Sequence, residues 1–260
     1  MKTALITGAS GGIGYELAKE FARHQHNLVL VARSESRLIQ IAQELESTYG
    51  IQAIALSQDL SNSNAVSAIY TELQSKNIII DYLVNNAGFG GFGLFVETDW
   101  AKEEQMINLN ITSLTHFTKV FAREMVKRRS GRILNVASTA SFQPGPLMAV
   151  YFATKAYVLS FSEAIANELQ GTGVMVTALC PGPTESGFLE AAALEGSKLF
   201  KAKKLPTSAE VAAYGYKALM SGKTVAIHGF RNWLTANSAR FAPRKLVTAI
   251  VRKMTEKEVA

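Results

Sequence analysis

Short apolar runs alternate along this chain with longer segments whose apolar positions recur every three to four residues. The runs predict buried strands and the longer segments amphipathic helices, because side chains repeat every two residues along a strand and about every 3.6 along a helix. Seven strands are expected: Thr3 to Thr7, Leu28 to Ala32, Gln52 to Leu56, Tyr82 to Asn85, Arg132 to Ala137, Val174 to Leu179 and Thr224 to His228. Crossover helices are expected over Ile13 to His26, Glu35 to Tyr49 and Ser63 to Lys76, the third beginning behind Asp59-Leu60-Ser61, whose short polar side chains can cap free N–H groups. Further helices are expected within Trp100 to Arg129, over Tyr151 to Leu169 and Glu210 to Met220, and within Lys245 to Lys257. Such alternation builds a parallel sheet covered on both faces. The expected fold class is therefore α/β: one doubly wound, Rossmann-like domain over residues 1–260 with a seven-stranded parallel sheet. Residues 184–206 are irregular, with Leu189, Leu194, Leu199 and Phe200 set among Gly187, Gly196 and Pro206. They read as a helical lid over a substrate, and residues 230–260 as a C-terminal extension.

The turn after the first strand is Thr7-Gly8-Ala9-Ser10-Gly11-Gly12-Ile13-Gly14. Glycines between a strand and a helix let backbone N–H groups approach a pyrophosphate where the helix dipole favours an anion. A tight turn without a ligand is the alternative reading. After the second strand, where an acidic residue would accept hydrogen bonds from the ribose of NAD, the chain has Ala32-Arg33. A phosphate on that ribose would find Arg33, helped by Ser34 and Arg37, so NADP(H) is the expected cofactor. Asp59 and Leu60 after the third strand and Asn86, Ala87 and Gly88 after the fourth would line the same crevice, unless they only support turns.

Tyr151 and Lys155 lie four apart on one face of a predicted helix. A cationic Lys155 there would favour phenolate and lower the Tyr151 pKa, easing proton exchange. Ser138, ending the fifth strand, could hold a substrate oxygen beside that phenol. No G-x-S-x-G elbow supports serine hydrolysis, and His24, His26, His116 and His228 form no metal-ligand pattern, so no metal is expected.

Composition narrows the class further. A chain 48% hydrophobic and 18% charged can bury a substantial core. The lone Cys180 rules out an intramolecular disulfide and reads as a packed, unreactive thiol. Much of the net charge of +6 lies in the tail, where Arg231, Arg240, Arg244, Lys245, Arg252, Lys253 and Lys257 face only Glu256 and Glu258. With no interleaved aromatic and basic repeats, nucleic-acid binding is not expected. The apolar start is too short for a signal peptide, and no run approaches the roughly 20 apolar residues that span a bilayer, so no transmembrane segment and a cytoplasmic protein are expected. The tail could cover the substrate mouth, pack a partner or lay a basic amphipathic face on anionic lipid; simple packing is the favoured reading and peripheral membrane contact stays open.

Together, the glycine cluster, Asn85-Asn86-Ala87-Gly88, Asn110, Ser138, Tyr151 with Lys155, and Pro181-Gly182-Pro183-Thr184-Glu185-Ser186 resemble, in that order, the classical short-chain dehydrogenase/reductase family over roughly residues 3 to 230. The resemblance implies that Tyr151 is the catalytic acid or base, that Ser138 orients the substrate oxygen, that Lys155 binds nicotinamide ribose and that Asn110 supports a water-linked proton relay. An asparagine that merely holds a helix bend is the alternative for Asn110. Gly8, Ser10, Gly12, Ile13, Gly14, Pro181, Gly182, Thr184 and Ser186 join the cofactor contacts by the same resemblance. Ser113 and Ser186 depart from the family's commoner glycine and threonine. The implied activity is hydride exchange between NADP(H) and an apolar ketone, aldehyde or alcohol, in a homodimer or homotetramer. Phe89, Phe92, Phe95, Phe142, Leu147, Met148, Phe188 and Leu189 are candidates for the substrate pocket or for loop packing. A dinucleotide-binding regulatory or scaffold protein without turnover is the alternative function.

Overall fold

The computed structural model describes residues 1–185 and 205–256. Seven strands form one sheet in the order β3-β2-β1-β4-β5-β6-β7, all parallel. They are β1 (Thr3–Thr7), β2 (Asn27–Ala32), β3 (Ala53–Ser57), β4 (Tyr82–Asn85), β5 (Gly131–Val136), β6 (Val174–Cys180) and β7 (Val225–Ile227). The expected doubly wound architecture is thus observed, with strand ends shifted by a residue or so. Alternation along β1 shows why both faces are covered: Ala4 and Ile6 join a core with Leu17, Phe21, Leu38 and Leu45 of helices α1 (Gly12–Arg23) and α2 (Glu35–Tyr49). Leu5 joins the opposite core with Ile69 and Leu73 of α3 (Ala65–Ser75) and with Phe117 and Phe121. Fully burying each such side chain contributes roughly 1.5–3 kcal/mol.

The long helix expected over Trp100 to Arg129 is interrupted. Helix α4 (Trp100–Ile107) passes through a π-helical turn (Asn108–Ser113) into α5 (Leu114–Lys127). Such a bulge inserts one residue and re-aims side chains, and here it carries the buried Asn110. Helix α6 (Ala149–Glu168) follows a 3₁₀ turn (Thr139–Phe142), and α7 (Ser208–Met220) opens with a reciprocal capping box between Thr207 and Glu210. Two helices close the described chain: α8 (Phe230–Ser238), which the periodicity did not indicate, and α9 (Arg244–Thr255). The expected lid lies almost wholly outside the described residues, but its ends are joined, Glu185 N donating to Pro206 O at 3.0 Å. Among the described residues no helix is long and apolar enough to cross a membrane.

Because β1 sits between β2 and β4, the crossovers leave it in opposite directions and open a crevice at the carboxyl edge of the sheet. Buried amides tie the halves together there. Asn86 Nδ2 donates to the carbonyls of Thr7 and Gly8 at 3.0 and 3.3 Å, while the backbone N–H groups of Asn86 and Ala87 both donate to Thr7 Oγ1 at 3.0 Å. Deeper, Asn85 donates to Thr118 and Asn135, and Asn135 to Ser162, linking β4, β5, α5 and α6.

Candidate active site

A cavity of about 950 Å³ runs along this carboxyl edge and collects residues from the ends of six strands. At one end lies the β1–α1 turn. Gly8 holds φ at +67°, and a Cβ on it would fall 2.8 Å from Asn86 Nδ2 and 2.9 Å from Ala87 Cα, so only glycine fits without a shift. A Cβ on Gly14 would meet Gly8 O, whereas around Gly11 there is open space. Gly11 caps α1 with no side-chain hydrogen bond, and the first turn contains no acidic residue. The helix therefore presents its N-terminal backbone to the cavity with no acidic side chain of its own first turn set against it, a cradle suited to pyrophosphate. Arg33 and Ser34 line the cavity at the end of β2 and suit one further phosphate. Asp59 faces them from β3, its carboxyl held below the usual range by hydrogen bonds from Ser61 and then by the Arg33 charge. Asp59 thus orders its own turn, accepting from Ser61 N and Oγ, and does not cap α3 as expected, because α3 starts later, behind Asn64.

At the other end, Ser138 leaves β5 in an extended conformation and accepts from Ala140 N at 3.1 Å, which opens the 3₁₀ turn. Ser141 Oγ donates to Lys155 O at 2.7 Å and clamps that turn to α6. The first turns of α6 carry Tyr151 and Lys155 toward the cavity, whose wall they share with Ser138. Lys155 Nζ donates to Val136 O at 2.8 Å. Burial pushes the Tyr151 phenol up to about 12, against a smaller downward pull from Ser138. Burial likewise brings the Lys155 ammonium down to about 8. The expected lowering of the tyrosine by its lysine is not found in the protein alone: desolvation of the phenol dominates and Ser138 supplies the opposing pull, while Lys155 Nζ stands over the ring, 5.9 Å from its centroid.

Most residues singled out in the sequence meet here. Gly8, Ser10, Gly12, Ile13, Arg33, Asp59, Leu60, Asn86, Ala87, Gly88, Ser138, Tyr151, Lys155, Pro181, Gly182 and Thr184 line the cavity. Three do not. Gly14 packs beneath the turn. Arg37 projects over the Tyr15 ring, 5.7 Å from its centroid. Asn110 is buried behind the wall, where Nδ2 donates to Phe89 O at 3.0 Å and Thr154 Oγ1 at 3.1 Å and Oδ1 accepts from Phe89 N at 3.2 Å. A Cβ on Gly88 would lie 2.9 Å from Asn110 Oδ1 and 3.6 Å from Lys155 Nζ, so a bare backbone is needed where the three meet. Ser186, Phe188 and Leu189 lie outside the described residues.

Of the apolar candidates, Phe89 and Met148 line the cavity, while Phe92 and Phe142 pack among its supports and Phe95 is exposed. Phe152 and Leu109 also line it, as does Gln143, whose buried Oε1 accepts no hydrogen bond. No spacing rule flags Gln143, because its loop has no period. Cys180 is fully buried, its thiol pushed up to about 12 by desolvation, as a packed and unreactive group would be.

A glycine cradle suited to phosphates at one end of a crevice and a half-buried serine with a buried tyrosine and lysine at the other suit hydride chemistry on a carbonyl. The chain is also similar to known proteins. Residues 2–195 match the short chain dehydrogenase family. The chain is 36% identical over 181 residues to the ketoacyl reductase HetN of Nostoc sp., covering 70% of this chain and 63% of that protein. It is 36% identical over 180 residues to mouse 17-beta-hydroxysteroid dehydrogenase type 3, covering 68% and 58%. These matches span about three fifths of the length of such curated relatives. The solved short-chain dehydrogenase of Sphingobium yanoikuyae in complex with NADPH superposes with a TM-score of 0.83 at 33% identity, covering 93% of this chain and 94% of that one. Sequence, sheet order and cavity thus agree, and the chain belongs to the short-chain dehydrogenase family.

Proposed function

We propose that this chain is an NADP(H)-dependent oxidoreductase that reduces an apolar ketone or aldehyde to the alcohol, or runs the reverse reaction, in the cytoplasm. The observation that carries the reading is the convergence of Ser138, Tyr151 and Lys155 on the wall of one cavity that extends to the Gly8 turn and Arg33. The uncapped α1 terminus would hold the pyrophosphate and Arg33 with Ser34 the ribose phosphate. When bound, a reduced nicotinamide supplies hydride to the carbonyl carbon.

The remaining work falls to the chain's own side chains. Ser138 Oγ donates to the substrate oxygen as negative charge develops there, and Tyr151 passes it the phenolic proton. A phenol held near 12 keeps that proton at neutral pH, which suits the reducing direction. Lys155, anchored on Val136 O, holds the nicotinamide ribose and offers positive charge as the phenolate forms. Asn110 acts one layer back by bracing Phe89 and Thr154, and Thr154 Oγ1 in turn donates to Tyr151 O at 2.7 Å.

Phe89, Leu109, Met148 and Phe152 beside Tyr151 favour an apolar carbonyl. Relatives described as a ketoacyl reductase and a hydroxysteroid dehydrogenase support the same class. Association through the helices flanking the site into a homodimer or homotetramer completes the reading. The test is a screen of ketones, aldehydes and alcohols with NADPH and NADH, following absorbance and identifying products. Substrate-dependent oxidation of NADPH is expected; failure across the panel by folded protein that binds NADPH would contradict the proposal.

A further inference from the structure

Helices α8 and α9 leave the molecule with an apolar face that nothing among the described residues covers. Along α9, Val247, Val251 and Thr255 form an inward row: both valines pack in the cluster containing Met148, Tyr151 and Phe152, and Thr255 Oγ1 donates to Pro146 O at 3.0 Å. Leu246, Ile250 and Met254 form a second row at the same helical spacing, turned outward, with Leu246 52% and Ile250 50% exposed. Helix α8 adds Phe230 and Trp233, stacked with centroids 6.0 Å apart, and Leu234, all exposed. Phe241, between the helices, is 89% exposed. A folded chain seldom leaves so many large apolar side chains in water unless the surface has an occupant.

Charge identifies the occupant. Residues 230–256 contain Arg231, Arg240, Arg244, Lys245, Arg252 and Lys253 against Glu256 alone, which is taken up by Arg252 at 3.0 Å. On a helix turning about 100° per residue, Lys253 and, further round, Lys245 border one side of the Leu246–Ile250–Met254 row. A second copy docking through this face would set cations against cations. An anionic bilayer would instead take the apolar row into its acyl boundary while the lysine and arginine stems reach back to headgroup phosphates and carboxylates. We propose that α8 and α9 form a docking face for the surface of an anionic membrane. Because α9 shares a packed cluster with Tyr151, Met148 and Phe152, docking would set the cavity one layer of side chains from the lipid. Docking requires no turnover, so this proposal and the catalytic one fail independently.

The test is cosedimentation of the full chain with vesicles of phosphatidylcholine alone or of phosphatidylcholine mixed with phosphatidylserine. The bound fraction should rise about tenfold with phosphatidylserine and fall with added salt. It should be lost in the double variant Leu246→Ser with Ile250→Ser, and separately in Lys245→Gln with Lys253→Gln, with NADPH binding retained as proof of folding. Equal sedimentation with both vesicle types, or binding by either variant equal to the parent's, would overturn the proposal. So would a sedimentation-velocity result, without vesicles, in which the serine variant converts a dimer to a monomer, since the face would then belong to a second copy.

Discussion

Lys155 Nζ reaches past Tyr151 and donates to the carbonyl of Val136 at 2.8 Å, which keeps the ammonium 5.9 Å from the tyrosine ring centroid. Two groups that helical spacing puts on one face thus meet with the ammonium over the ring and tethered to the end of β5, and burial governs the pKa of each. The lysine is anchored at the cavity wall, where the proposed nicotinamide ribose would lie, and burial favours the protonated phenol.

That arrangement makes stability depend on pH in a defined sense. The folded chain holds Lys155 at about 8 against the ordinary 10.5, so between those values the unfolded chain binds more protons and stability rises with pH. Below about 8 the buried ammonium costs roughly 3 kcal/mol, and above 10.5 that cost is gone. Urea unfolding without cofactor should therefore show wild type gaining on Lys155→Met by an amount of this order as pH rises from neutrality through that window. A gap that stays constant with pH would contradict the assignment.

Ser138→Ala removes the hydroxyl that faces the cavity beside Tyr151 and the donor it would offer to the substrate oxygen. The expected loss is about 10²- to 10³-fold in kcat, with NADPH affinity within about twofold of the parent. Stopped-flow hydride transfer together with NADPH fluorescence titration separates the two effects.

Arg33→Asp should weaken NADPH binding roughly 10- to 100-fold and NADH binding far less, because the lost interaction is a charge-assisted hydrogen bond to one phosphate. Calorimetric titration with each cofactor checks it; equal losses would move the phosphate site elsewhere.

The sheet was legible from sequence because buried parallel strands write short unbroken apolar runs, as Leu28 to Ala32 does. Tyr151 and Lys155 were legible as a pair because a helix brings positions four apart together. The π-helical turn at Asn110 was not, since one inserted residue barely alters the apolar period across Trp100 to Arg129. Helix α8 was missed because its apolar residues face outward and only Ala236 is buried, so no core-facing stripe marks it. The phenol's raised pKa is a property of burial, which residue spacing alone does not record.

Asn110→Ala leaves Phe89 N and O and Thr154 Oγ1 without this partner. A destabilisation of about 1–3 kcal/mol is expected, the usual cost of stranding buried polar groups. Chemical denaturation measures it, and a fall in kcat larger than any change in KM would show that the bracing reaches Tyr151.

If the Tyr151 phenol passes its proton to the substrate oxygen, Tyr151→Phe should separate binding from chemistry when compared with wild type for NADPH binding and for single-turnover reduction of a substrate found in the screen. Binding within about twofold of wild type and a rate about 10²- to 10⁴-fold lower are expected. Turnover equal to wild type's would contradict that proton transfer.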